Sequence, residues 1–408
     1  MAGELDPRSS VSEDSPHGRT KSWAKRQNGR THVCGALTGT NRAEPPAADV
    51  LEVSLIGPGY GESIIIHLAA GDWIVVDSSV ERSGAASALT YLNQIAVDPA
   101  SAVRAVVASH WDDDHVRGLS QVVAACELAD VVLSAALSRR EFQILLEAAE
   151  PRSMSSASGL REMYDVHSIL DARWAERCAE PILAAEGDPI WERDGSDAPR
   201  CRVQALAPSA TAIIHAQEAF AREIGIVGAP KRVFRRFRPN HASVPLWVTV
   251  GDDHILLGAD LERLPDESVG WRGVLNAPSR PNARAAILKV PHHGGESGDH
   301  LPMWEELLLE EPIAILTPFA RGRPLPTLQD KQRLCRRTMC VFVSANERSR
   351  SRRRRSGPVE RQIRQTVRGM RVIEPPGGHI RLRRRIGTSD PWSVELFPPA
   401  YHACAATH

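Results

Sequence analysis

Nowhere in the 408 residues is there a run of about 18 apolar side chains, the length a bilayer-spanning helix needs, so no membrane association is expected. An apolar core of signal-peptide length is missing too. Residues 1–48 are rich in Ser, Arg, Pro and Asn and read as a disordered extension. The seven cysteines, Cys34, Cys126, Cys178, Cys201, Cys335, Cys340 and Cys404, are scattered, odd in number and never spaced Cys-x-x-Cys. That argues against a disulfide framework and against a thiolate zinc site, and points to a reducing cytoplasm. Net charge is also absent, with 50 Lys and Arg against 50 Asp and Glu. The balance is uneven, however: residues 331–385 hold 18 basic and 3 acidic side chains, a local excess of +15, densest at Arg352, Arg353, Arg354 and Arg355. Such a segment suits nucleic acid, because every phosphate neutralised releases counterions. A solvated loop accounts for it as well.

What the chain does have is the run Ser109-His110-Trp111-Asp112-Asp113-Asp114-His115. Before it, Val103 to Ala108 reads as a short buried strand; after it, Val116, Leu119, Val122 and Val123 recur at helical spacing. The run is therefore a turn at a strand's carboxyl end, where neighbouring side chains can converge. Imidazole nitrogen beside carboxylate oxygen suits zinc, manganese or iron and leaves room for water and substrate. A plain acidic cap on the following helix is the competing reading. Two later strands end in the same residue types. Ile255 to Ala259 runs into Asp260, and Ile287 to Pro291 runs into His292-His293-Gly294.

In this order the segments resemble the metallo-β-lactamase fold superfamily, most closely the branch containing the soluble hydrolase domain of ComEC-type competence proteins. His110, Asp112, Asp114 and His115 match that branch's His-x-Asp-x-Asp-His, with Asp112 in place of the broader superfamily's second histidine. Ile56 to Ser63 looks like the family's opening glycine-rich hairpin, and Trp73 to Asp77 like its first motif aspartate. Asn240-His241-Ala242-Ser243 looks like the Asn-x-x-Ser motif, Leu257 to Leu261 like the Gly-Asp motif, and Val290 to Gly294 like the His-His-Gly motif. The resemblance spans roughly residues 51–334. Arg323-Pro324-Leu325-Pro326 takes the place of the late His-Pro, and the superfamily's third metal histidine has no clear counterpart, Asn240, His241 and His215 being candidates.

The resemblance implies an α/β fold, a four-layer αβ/βα sandwich of two mixed sheets with outer helices. It also implies two divalent cations, zinc or manganese ahead of magnesium. His110, Asp112 and Asp260 would hold one, and Asp114, His115, Asp260 and His293 the other, with Asp260 bridging. Two ions about 3.5–4 Å apart make the attacking group a metal-bound hydroxide rather than a side chain, with Asp114 both ligand and orienter of the water. Asp77 is read as an outer residue that orients a ligand, and His292 and Asn240 as outer or substrate-facing groups. Lys289 is read either as facing an anionic substrate or as an exposed lysine without a role.

Along the chain, 49–345 is read as the hydrolase domain, with 134–208 a helical insertion over the site that includes an amphipathic stretch, Arg140 to Ala149. Arg232 to Arg238 mixes arginines with Phe234 and Phe237, a pattern for phosphate and base or for a half-buried strand. Residues 346–362 form an Arg-rich loop and 363–408 a β-hairpin and tail. The leading function is a metal-dependent phosphodiesterase or nuclease, with nucleic acid as partner through Arg352 to Arg355. The alternatives are a metallohydrolase of a nucleotide, lactone or thioester, or a weakly catalytic binding or regulatory protein.

Overall fold

The computed structural model describes residues 36–39, 41–137, 159–178, 180–196, 198–224, 239–345, 357–366 and 377–406. Their strands follow one another as β1 (Ala36–Thr38), β2 (Val50–Gly57), β3 (Ser63–Leu68), β4 (Trp73–Val76), β5 (Val103–Val107), β6 (Asp130–Ser134) and β7 (Ile182–Ala184). Then come β8 (Pro189–Arg193), β9 (Cys201–Ala205), β10 (Leu246–Val250), β11 (Asp253–Leu257), β12 (Ala285–Lys289), β13 (Leu308–Leu316) and β14 (Val341–Val343). β15 (Gly378–Arg385), β16 (Ser393–Phe397) and β17 (Tyr401–His402) close the chain. Two mixed sheets result, ordered β1-β16-β15-β2-β3-β4-β5-β6-β7 and β17-β14-β13-β12-β11-β10-β9-β8.

Both sheets are covered on both faces, which is why their central strands read as apolar runs. On one face of the first, Ile65, Val75 and Val106 pack against Tyr91 and Leu92, Val122 and Val123, and Met163 and Val166 of three helices. The second packs Leu256, Leu288 and Ala314 against Trp271, Met303, Leu307 and Leu334. The alternating residues Ile64, Ile66 and Ile74 in one sheet, and Ile255, Leu257 and Ile287 in the other, are also buried. Each such aliphatic contributes about 1.5–3 kcal/mol. The result is the αβ/βα sandwich implied by the motif pattern.

β4 and β5 are parallel neighbours, and so are β11 and β12, so their carboxyl ends come out on one edge of each sheet. The sheets are joined at that edge: Val244 N–H donates to Ser109 O at 2.9 Å, and Ser344 Oγ donates to Gly57 O at 3.1 Å. Ligand-type residues from both sheets thus face a common space.

Several expectations need correction. Cys335 and Cys404, 69 residues apart, form a disulfide, so the cysteine pattern does not speak for a reducing compartment. Scattered spacing hides a pair that only the fold brings together. Within the expected extension 1–48, Ala36–Thr38 pairs in parallel with β16. Among the described residues of the 134–208 insertion the helix is Gly159–Arg177; beyond it β7 extends the first sheet, and β8 and β9 extend the second. In β9 the burial alternates with period two, a strand signal obscured by the polar surroundings. The carboxyl hairpin, β15 with β16, belongs to the first sheet, where β15 pairs along its whole length with β2. Arg140–Ala149, Arg232–Arg238 and Arg352–Arg355 lie outside the described residues. No described helix is long and apolar enough to cross a membrane.

Candidate metal centre

Each candidate ligand follows a strand. β4 hands over to Asp77, β5 to Ser109 and His110, β11 to Asp260, and β12 to His292 and His293. The turns are tight: Asp77, Ala259, His292 and His293 have φ between 45° and 59°, the left-handed region that non-glycine residues enter at a cost. At Gly258 a Cβ would lie 2.6 Å from Pro291 Cγ and 2.9 Å from Lys289 O, so only glycine lets the two strand ends approach. Backbone strain is concentrated where side chains must converge.

Converge they do. His293 Nε2 lies 2.9 Å from Asp114 Oδ2 and 3.6 Å from Asp260 Oδ2, and His115 Nε2 lies 3.4 Å from Asp260 Oδ1 and 3.8 Å from Asp114 Oδ2. His110 is in ring contact with His115 at 4.1 Å, and its Nε2 is 3.7 Å from Asp112 Oδ2 at the half-exposed lip. His110 Nε2, His115 Nε2 and Asp260 Oδ1 are buried without a hydrogen-bond partner among the described residues. Stranded polar atoms of that kind cost about 1–3 kcal/mol each. His110, His115 and Asp260 offer donor atoms close enough to share one cation, which would satisfy all three.

The outer nitrogens determine which atoms face inward. Asp77 Oδ1 accepts from Ser109 N–H and Oδ2 from Ser109 Oγ, both at 2.7 Å, and Oδ2 also accepts from His115 Nδ1 at 2.7 Å. Because the Ser109 hydroxyl is spent on Asp77, its oxygen accepts from His110 Nδ1 at 3.0 Å. His293 Nδ1 donates to Thr317 O at 3.1 Å. All three imidazoles are therefore anchored through Nδ1 with Nε2 turned to the centre, the arrangement metal-ligating histidines favour. Glu62, His115 and His293 form a second cluster of possible donors. That cluster uses the Nδ1 atoms already engaged, and its carboxylate is taken by Lys289, which leaves the Nε2 side as the candidate cation site.

Two residues emerge here that the sequence did not single out correctly. Lys289 is fully buried, 2.5 Å from Glu62 Oε1, 3.6 Å from Asp260 Oδ1, and donating to Ala259 O at 3.0 Å. It is neither exposed nor aimed at substrate. Glu62, also fully buried, accepts from Thr317 Oγ1 at 2.6 Å. The Gly-Glu-Ser run and the strand-end lysine were visible, but no spacing ties residue 62 to residue 289.

Charge follows from this crowding. Burial depresses the His115 and His293 imidazoles, yet Asp260 and the other carboxylates around them outweigh it and raise both, His115 well above the usual range. Burial pushes Asp114 up, but His115 and His293 bring its carboxyl down to about 2. His110, buried and beside His115, is held well below its usual value. At Asp112, burial and then Asp114 raise the carboxyl to about 7. Protons on two imidazoles stand in for the positive charge the carboxylates require, and a cation binding there would displace them.

Above the cluster is a cleft of about 430 Å³, with Asp114, Asp260 and His293 at its floor and Asp112 at its lip. Asn240, His292, Phe319, Arg321, Arg323 and Leu325 form its walls. Asn240 Nδ2 donates to Glu262 Oε1 at 3.1 Å, and His292 Nδ1 is 2.8 Å from Ser297 Oγ and 3.4 Å from Glu262. Among the described residues His241 reaches Glu262, at 3.8 Å, and His215 is exposed on the helix Ala210–Ile224. Of the three substitutes for a third histidine, Asn240 alone lines the cleft. Arg352, Arg353, Arg354 and Arg355 are not described.

Two mixed sheets with outer helices, and the motif residues at their strand ends, agree with what the resemblance to the metallo-β-lactamase fold implies. No family model matches the chain, and no curated protein matches it in sequence. Among solved structures, a motif variant of the metallo-β-lactamase from Cronobacter sakazakii overlays with a TM-score of 0.28 at 15% identity, covering 51% of this chain and 60% of that one. The metallo-β-lactamase fold protein YhfI from Bacillus subtilis gives 0.30 at 13% identity over 59% and 70% of the two chains. Metallo-β-lactamase SMB-1 bound to 2-mercaptoethanesulfonate gives 0.30 at 12% identity over 67% and 82%. Overlays this partial carry no argument.

Proposed function

We propose that the protein is a metal-dependent hydrolase acting on phosphodiester bonds, with two divalent cations, zinc or manganese, in the Nε2-lined centre. The observation that supports this most is the set of unpartnered buried atoms on His110, His115 and Asp260, beside Asp114 and His293. Bound cations supply Lewis acidity, lowering the pKa of a water and offsetting charge on the phosphoryl oxygens. The chain does the rest. Asp77, Ser109 and Thr317 lock the imidazole tautomers, and Asp260, between the histidines from both sheets, would bridge the two ions. With cations bound, Asp114 would help to orient the attacking water. Asn240 and His292 face the cleft, where they can hold substrate oxygens. The hard oxygen of Asp112 at the lip favours manganese relative to an all-histidine set.

A small phosphodiester is favoured over a long polynucleotide by one observation. Most of the described arginines in the basic carboxyl segment are already paired: Arg381 with Glu395, Arg383 with Glu52, Arg384 with Asp253, Arg385 with Asp49, and Arg333 and Arg337 with Asp299. Nucleic acid remains a partner through Arg352 to Arg355 if those four are free. The test is metal analysis of the purified full chain, followed by hydrolysis of bis(p-nitrophenyl) phosphate and of single- and double-stranded nucleic acid with manganese or zinc. Metal-dependent cleavage is expected, lost in Asp114→Asn by more than the roughly 100-fold that removing an outer partner costs. Cleavage indifferent to chelators, or full activity in Asp114→Asn, would refute the assignment.

A further inference from the structure

The turn from Phe319 to Leu325 is built, not slack. Phe319 N–H donates to Leu325 O at 2.8 Å, Leu325 N–H returns to Phe319 O at 3.0 Å, and Ala320 N–H donates to Gly59 O at 3.1 Å. Phe319 packs on Tyr60, ring centroids 5.7 Å apart. This pins the five residues between the bridge ends against the glycine-rich loop after β2, and the tip they form carries two cations, Arg321 and Arg323, into the cleft wall. Arg321 is fixed in place. Its guanidinium lies 4.4 Å from the Tyr60 ring centroid, and Nη1 donates to Tyr60 Oη at 3.0 Å and sits 3.4 Å from Asp113. Only Nη1 is engaged in these hydrogen bonds. Arg323, exposed, has no hydrogen bond or ion pair among the described residues.

The aspartates that line the cleft would be met by bound cations; Asp113 engages Arg321 through Nη1 alone, and Arg323 faces no carboxylate among the described residues. We infer that Arg321 and Arg323 form a second anion subsite, which binds a phosphate of the substrate adjacent to the phosphodiester being cut. Guanidinium groups match phosphate oxygens with paired N–H donors, a geometry lysine does not offer. The inference rests on the phosphodiester reading and narrows it: the preferred substrate carries one more phosphate than a simple diester. That phosphate can be a terminal monoester on a nucleotide or the next linkage of a chain.

Binding tests this without requiring turnover. Thymidine 3′,5′-bisphosphate should bind the manganese-loaded full chain about tenfold tighter than thymidine 5′-monophosphate by calorimetry, the gain of one charge-assisted contact. In Arg321→Gln/Arg323→Gln the ratio should fall to within about twofold of one, and circular dichroism shows whether that variant is folded. Arg323→Gln alone, altering an exposed unpartnered side chain, should lower the ratio too and guards against misfolding of the double variant. Equal affinities in the wild type, or an undiminished ratio in folded variants, overturns the inference. Rates with thymidine 5′-(p-nitrophenyl phosphate), its 3′-phosphorylated form and the corresponding dithymidylate ester distinguish a terminal phosphate from a chain linkage. If none is hydrolysed while the bisphosphate preference holds, the hydrolase reading fails and the subsite stands.

Discussion

Single side chains behind the centre do as much as those in it. Glu62 and Lys289 form a fully buried ion pair that reaches His115 after the first sheet and Asp260 and Thr317 after the second, and so supports ligands from both sheets. Breaking such a pair leaves a bare charge in the interior and costs about 3–5 kcal/mol, whereas replacing both members is often close to neutral. Lys289→Met and Glu62→Gln should each lower stability by that order in chemical denaturation, and the double variant should recover most of it. In the double variant, metal affinity measured against a competing chelator should still drop by about 10–100-fold, the usual cost of lost outer support. Equal affinity in that variant would reduce the pair to a packing role. Asp77 works by the same logic through His115, and it was readable because it ends a strand. Lys289 ends a strand as well, but its meaning depends on a carboxylate more than 200 positions earlier.

At the level of elements, the strand ends were legible and the strand neighbours were not. Asp260 and His293 follow apolar runs whose ends can be seen in the residues, and their carboxyl-edge placement follows from the parallel pairing of β11 and β12. The position of β15 beside β2 leaves no local trace, because its eight residues carry four arginines and look like a solvated ribbon. They can be inside because the sheet supplies partners. Arg383 reaches Glu52 at 2.7 Å, Arg381 reaches Glu395 at 2.7 Å, and Arg381 Nη2 donates to Asn41 O at 2.9 Å. His379 joins this network in neutral form: Nδ1 accepts from Arg42 Nε at 3.3 Å and Nε2 donates to Ser54 Oγ at 2.9 Å, while Ser54 donates to Glu52. Burial, then Arg42, Arg381 and Arg383, hold its imidazole well below the usual value, with Tyr91 and Phe397 against its ring. In the unfolded chain it titrates near 6.5. Between that pH and its folded value the unfolded state binds the extra proton, so the His379 contribution is full above about pH 6.5 and is lost as pH falls below it, by about 1.4 kcal/mol per unit. His379→Gln, which keeps both an acceptor and a donor, should therefore show a shallower loss of Tm from pH 7 to pH 5 than the wild type. Superimposable profiles would mean the imidazole is not held neutral.

For the molecule as a whole, the +15 excess of residues 331–385 shrinks once six of its described arginines are seen in ion pairs, which turns attention to residues 348–357. Deleting them should weaken polynucleotide binding and flatten its dependence on salt, since each phosphate contact contributes a slope of about −0.9 in log K against log salt. An unchanged slope would place nucleic acid elsewhere or nowhere. The more general consequence concerns how the two sheets are held together. His110, Asp114 and His115 belong to the first, Asp260 and His293 to the second, and in the absence of a cation they meet chiefly through contacts such as that of His293 with Asp114. A cation shared by both sets binds only when the sheets are docked, so it stabilises the folded chain by mass action, about 2.7 kcal/mol at a free concentration 100 times its Kd. Manganese or zinc added to chelator-treated protein should then raise the Tm by several degrees. Asp114→Asn should blunt that rise, because it removes one of the charges that span the interface. If metal left the Tm of the wild type unmoved at saturating concentration, the imidazoles and carboxylates would have to be held together by their own ion pairs alone, and the centre would be a structural knot instead of a binding site.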